Sequence, residues 1–145
     1  KLNVTALYVS KNQLVNEKPE LSELLIDLSI DYIVLAGFLL KVPEWLISKF
    51  RNKMFNIHPS LLPKFGGKGM YGMHVHQAVL AEKEQESGMT IHLVNEEFDK
   101  GKILFQAKTP IHDDMNTEDI AKAVQKLEYL YYPELVESYI LNQLS

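Results

Sequence analysis

The hydrophobic pattern changes period several times along the chain. From Leu2 to Val9 apolar and polar residues roughly alternate, with Val, Leu and Tyr prominent, which predicts a strand. From Pro19 to Leu28 the period lengthens: Leu21, Leu24, Leu25 and Leu28 recur at spacings of three and four, and Pro19 suits a first helical turn. The run "YIVLAGF" is continuously apolar and rich in β-branched residues, the pattern of a strand buried on both faces, and Gly37 marks its end. Pro43 to Phe50 reads as a short helix carrying Trp45 and Ile47, and "KMFNIH" as the next buried strand.

After a glycine-rich loop, His76 to Glu84 fits a helix. Gly88 to Glu96 and Lys102 to Pro110 fit two strands joined by a turn over "EFDKG". Asn116 is placed to cap a last helix, with Asp119 three residues on and Ile120, Val124, Leu127 and Tyr131 in helical register; Pro133 either kinks that helix or starts another. Alternating strands and helices predict an α/β fold with a mostly parallel sheet and an antiparallel hairpin around Asp99. Ligands of such sheets sit at the carboxyl ends of the strands. The ends to inspect are therefore Gly37 to Val42, Asn56 to His58, and the Asn95 to Asp99 turn.

Composition narrows the function classes. The 145 residues suffice for one domain or part of a larger one, and 46% hydrophobic content supports a buried core. A formal charge of −4 with interspersed signs argues against a nucleic-acid surface. No cysteine is present, which excludes disulfides, thiolate nucleophiles and Cys-ligated zinc. The apolar runs are too short to span a bilayer and the first residues lack a signal-peptide layout, so the expectation is a cytoplasmic protein without membrane partners.

The stretch "NIHPSLLPKFGGKGMYGMHVH" holds the densest chemistry. Asn56 and His58, two apart at a strand end, share a face. An amide donor beside a titratable imidazole suits acyl-type transfer, one stabilising an oxyanion and the other moving a proton. Asp99 in its turn is a candidate third member, orienting His58 and favouring its charged form. The plainer reading of such a pair is a loop cap. A metal site of His58, His74 and His76 is the weaker alternative, because the last two diverge at a helix start and no zincin spacing accompanies them, so no metal is expected. His92 lies among apolar neighbours and reads as a satisfied core or crevice histidine.

In order and spacing, "AGF", "FNIHPSLLPKF", the G-x-H-x-H run, the step from His92 to Asp99, and "GMTIHLVNEEFDKGKILFQ" resemble the folate-dependent formyltransferases, most closely those acting on glycinamide ribonucleotide in purine synthesis. The resemblance covers the chain from the "IVLAGF" strand onward. It implies a Rossmann-like formyltransferase fold and formyl transfer from 10-formyltetrahydrofolate to the amine of glycinamide ribonucleotide. Asn56 would hold the formyl oxygen, His58 would act as general acid or oxyanion stabiliser, and Asp99 would raise the pKa of His58. Leu39, Leu40, Lys41 and Val42, with Asn95, Glu96, Glu97, Phe98 and Asp99, would line the folate pocket; Gln125, Lys126, Leu127 and Glu128 would reach the ribose. The expected partners are these small molecules, with the chain monomeric or homodimeric.

Against the family pattern, Gly66 to Tyr71 is an insertion, read as a flap, and Leu40 replaces a basic residue. No glycine precedes Gly37, so the family's phosphate loop is missing. The chain therefore reads as the C-terminal portion of a single catalytic domain, with two strand–helix units, roughly 60 to 80 residues, expected upstream. A formyltetrahydrofolate deformylase, which typically carries a second histidine where Pro59 stands, a methionyl-tRNA formyltransferase, and an inert folate-binding fragment are the competing readings.

Overall fold

The computed structural model describes residues 4–16 and 19–144. Elements follow in the order α1 (Lys11–Val15), α2 (Pro19–Asp27), β1 (Ile33–Leu35), α3 (Glu44–Lys49), β2 (Met54–His58), α4 (Met73–Ala81), β3 (Glu86–Leu93), β4 (Ile103–Pro110) and α5 (Thr117–Leu144). The strands form one four-stranded sheet in the order β1-β2-β3-β4. Only β1 and β2 are parallel; β2 with β3 and β3 with β4 are antiparallel. The α/β class holds, but the sheet is mixed rather than mostly parallel, because the chain re-enters β3 in the reverse direction after α4.

Several expected elements shift. The strand expected from Leu2 to Val9 begins outside the described residues, and residues 4–10 form no regular element. Val4, Leu7 and Tyr8 are exposed there, so the alternation has no sheet to join. Instead α1 follows, started by a capping box: Ser10 Oγ accepts from the Gln13 backbone N–H (3.3 Å) while the Gln13 side chain accepts from the Ser10 N–H (2.9 Å). The run "YIVLAGF" yields only a three-residue strand, and Val34 is half exposed, as suits an outer strand rather than one covered on both faces. Helix α4 begins at Met73, earlier than expected, and α5 continues through Pro133 without a break.

Alternation along β2 sends its side chains to two cores. Phe55 joins Met89, Ile91, Leu93, Ile120, Val124 and Tyr132, sealing the sheet against α5. Met54 faces the other way, into Val42, Leu46, Ile47 and Phe50 around α3. With a period of two, Asn56 and His58 fall on the Met54 face, across from His92 and Thr90 of β3. The α5 N-terminus is fixed as its residues predict: Asn116 Oδ1 accepts from the Glu118 and Asp119 N–H groups (2.9 and 3.1 Å), and Asp119 Oδ2 accepts from the Asn116 N–H (3.1 Å). Tyr132 O–H donates to Leu35 O (2.8 Å), tying α5 to the end of β1.

The loop after β2 hangs on one hydroxyl. Thr90 Oγ1, fully buried, donates to Ser60 O (2.6 Å) and accepts from the Leu62 N–H (3.0 Å) and Gln106 Nε2 (2.8 Å). Ser60 Oγ in turn donates to Lys64 O (2.7 Å). Thr90→Val keeps the shape but removes the partner of Ser60 O and the Leu62 N–H, while Gln106 Nε2 keeps Leu62 O (2.9 Å), and leaving buried groups unpaired costs about 1–3 kcal/mol. Urea denaturation should show a stability loss in that range, whereas an unchanged midpoint would mean the loop does not depend on Thr90.

Candidate functional site

A cleft of about 740 Å³ opens at the carboxyl ends of β1 and β2. Its walls come from the segment after β1, the end of β2, the loop from Gly67 to Met73, the β3–β4 turn and one side of α5. Gly37, with φ of +66°, turns the chain out of β1 and sends Leu39 to Val42 along the rim.

Four polar side chains meet at the base. Asn56 Nδ2 lies 3.1 Å from His92 Nε2. His58 Nε2 lies 2.7 Å from Phe65 O, and its Nδ1 lies 3.6 Å from Asp99 Oδ2. The other carboxylate oxygen, Oδ1, is 3.6 Å from His92 Nε2. Both imidazole–carboxylate separations, at 3.6 Å, exceed a hydrogen bond. Asp99 is held from behind by the Gly67 N–H, which donates to Oδ2 (2.9 Å). The segment from Gly66 to Tyr71 is therefore pinned at its base by the carboxylate that faces His58.

The turn aims that carboxylate. Asn95 Oδ1 accepts from the Glu97 N–H (3.0 Å) and its Nδ2 donates to Lys100 O (3.2 Å), while Asp99 itself adopts φ of +54°. Gly101 closes the turn where a side chain has no room: a Cβ there would lie 1.6 Å from Leu93 O.

Burial and charge compete in this corner. Burial lowers the pKa of His58, and Asp99 and the Phe65 carbonyl, which both raise it, do not offset that. Asp99 acts on His58 in the expected direction, upward, while burial is the larger influence and makes the net shift downward. Burial pushes the Asp99 carboxyl up, yet His92, the Gly67 N–H and the charge of His58 outweigh it and hold the carboxyl below its usual range. Glu128, half-buried on α5, is raised by burial.

Of the residues expected in the pocket, Leu39, Leu40, Lys41, Val42, Asn56, Asn95, Glu97, Phe98, Asp99, Gln125 and Glu128 line the cleft, but Glu96, Lys126 and Leu127 do not. Glu96 turns outward to Arg51 (2.9 Å), Lys126 is exposed, and Leu127 packs on the α5 core. His74 lies tilted against Tyr71, ring centroids 5.1 Å apart, while His76 is buried in the cleft wall. Among the described residues no group of His, Asp and Glu side chains is arranged to hold a metal. The feature that residue-by-residue reading missed is the contact of His92 with Asn56, which becomes visible once β2 and β3 are paired antiparallel.

The chain matches the formyl transferase family over residues 3–136. It is 48% identical over 109 residues to a chloroplastic phosphoribosylglycinamide formyltransferase of Vigna unguiculata, covering 75% of this chain and 35% of that one. Against the phosphoribosylglycinamide formyltransferase of Haemophilus influenzae identity is 34% over 134 residues, covering 91% and 61%. The crystal structure of the phosphoribosylglycinamide formyltransferase of Streptococcus pneumoniae superposes with a TM-score of 0.77 at 30% identity, over 87% of this chain and 67% of that one. The chain thus spans 35 to 61% of the length of these two sequence relatives. With a family match over nearly its whole length and the same fold in a solved relative, the chain belongs to the formyl transferase family.

Proposed function

We propose that this chain carries the reaction centre of an enzyme that moves a formyl group from 10-formyltetrahydrofolate to the amine of glycinamide ribonucleotide. The observation that carries the reading is the convergence of Asn56, His58 and Asp99 in one buried corner of a cleft large enough for a folate ring system. The names of the relatives at 34 to 48% identity support formyl transfer to that acceptor.

The amine attacks the formyl carbon, the carbonyl oxygen gathers negative charge, and the bond from that carbon to the folate N10 then breaks. The Asn56 amide donates to the oxygen as charge develops. His58, between the Phe65 carbonyl and the Asp99 carboxylate, is the group placed to move the proton lost by the amine towards the leaving nitrogen. The Asp99 carboxylate beside it favours its protonated form, against burial, which lowers its pKa. The rim from Leu39 to Val42 and the Asn95 to Asp99 turn hold the folate, and Gln125 and Glu128 hold the ribose. The protein works in the cytoplasm, although the Vigna relative is named as chloroplastic; among the described residues no helix is long and apolar enough to cross a membrane.

The test is a steady-state assay of the full-length native protein with both substrates. Formyl transfer to the nucleotide is expected; release of formate without transfer would replace the proposal with a hydrolase. In the same assay Glu128→Ala should raise KM for the nucleotide by roughly tenfold or more, the worth of a hydrogen bond to a charged group, and leave KM for the folate donor unchanged. A rise in the folate KM instead would move Glu128 to the other substrate.

A further inference from the structure

His92 has two ring nitrogens with different neighbours, and together they settle what it does. Nδ1 lies 2.9 Å from the Leu93 carbonyl oxygen, which only accepts, so Nδ1 carries a hydrogen. In the neutral ring Nε2 is then a lone pair, and the atom facing it at 3.1 Å is Asn56 Nδ2. An Asn56 amide turned over would bring its oxygen against that lone pair. The pairing therefore selects one of the two amide orientations.

We propose that His92 is a positioning residue for formyl transfer: as the neutral Nδ1–H imidazole it accepts one Asn56 N–H and leaves the second N–H of that nitrogen for the formyl oxygen. This rests on the function proposed above. The arrangement is rigid on every side. His92 is 2% exposed and sits directly across the antiparallel ladder from Asn56. The Leu93 carbonyl that fixes Nδ1 is backed by Gly101, whose absent Cβ would lie 1.6 Å from that oxygen and 3.4 Å from Nδ1. The Leu93 N–H donates to Lys102 O (2.9 Å), closing the hairpin at the same residue. Asp99 Oδ1, 3.6 Å from Nε2, is the competing partner. A proton drawn to Nε2 by that carboxylate would meet the Asn56 donor and turn the amide over.

Two substitutions separate the two nitrogens. An Asn amide sits near the place of Nδ1, so His92→Asn keeps a donor for Leu93 O and removes the acceptor for Asn56. A Gln amide reaches the place of Nε2, so His92→Gln keeps the acceptor. In the full-length protein His92→Asn should lower kcat by at least about tenfold with KM for both substrates nearly unchanged, and His92→Gln should recover most of the loss. In an Asn56→Ala background His92→Asn should cost nothing more. A purely structural His92 would show equal losses in both variants, multiplying with Asn56→Ala, and that result overturns the proposal. Nitrogen-15 NMR of the wild-type protein supplies a readout independent of turnover: His92 should appear as the neutral Nδ1–H tautomer. An Nε2–H or doubly protonated ring overturns the inference even where His92→Asn fails to fold. Wild-type protein that shows this tautomer but transfers no formyl would refute the function and leave the Asn56–His92 pairing standing.

Discussion

Replacing His58 by Ala, or Asp99 by Asn, should each lower kcat on the order of 10²-fold or more, and the double variant should be little worse than the poorer single one. The two side chains share one proton route: His58 Nδ1 faces Asp99 Oδ2 at 3.6 Å, and His58 Nε2 donates to Phe65 O at 2.7 Å. Removing either breaks the same relay, so the second loss has nothing left to break. Steady-state kinetics of the three variants decides, and losses that multiply would show independent roles. Asp99→Asn also has a signature in stability. The folded pKa of Asp99 lies below its ordinary value, so its ionised form stabilises the protein above the unfolded value of about 3.9. That contribution disappears as pH falls through the folded value. The wild-type protein should therefore lose stability more steeply than Asp99→Asn on acidification below about pH 4, as urea midpoints across that range would show.

How much of this site was legible depended on whether the information was local. Asn56 and His58 at a strand end, Asn116 at a helix start and the turn carrying Asp99 are set by neighbours in sequence, and the structure places them as read. Strand direction is not local. A connection containing a helix usually returns a parallel strand, and the segment from Pro59 to Gln85 contains α4, yet β3 runs antiparallel to β2. His92 was read only as a satisfied core or crevice histidine, since its place opposite Asn56 exists only in that pairing. The contiguous stretches Asn95 to Asp99 and Gln125 to Glu128 were carried over whole from a resemblance, whereas helix geometry presents only residues three or four apart on one side. Gln125 and Glu128 line the cleft and the two residues between them do not. The capping box of α1 was local and readable in Ser10 and Gln13. It was masked by the strand-like alternation just before it.

Asn56→Ala should cost roughly 3 kcal/mol of transition-state stabilisation, a fall in kcat on the order of 10²-fold, while the Kd of a non-reactive folate analogue barely changes. The separation follows from when the donor matters. In the ground state the formyl oxygen is a neutral amide-type acceptor, and one hydrogen bond to it exchanges with water at little net gain. In the transition state that oxygen approaches an alkoxide, and a donor held in a buried corner is worth several times more. Asn56 is held by the ladder on its backbone side and by His92 on its amide. Asn56→Asp should be worse than Asn56→Ala despite its similar shape. A carboxylate there would meet the lone pair of His92 Nε2, stand near Asp99, and present negative charge to an oxygen that is itself becoming negative. Measured together, kcat and analogue Kd discriminate between roles. An oxyanion donor loses rate and keeps binding, and a residue that merely shapes the folate pocket loses both in proportion.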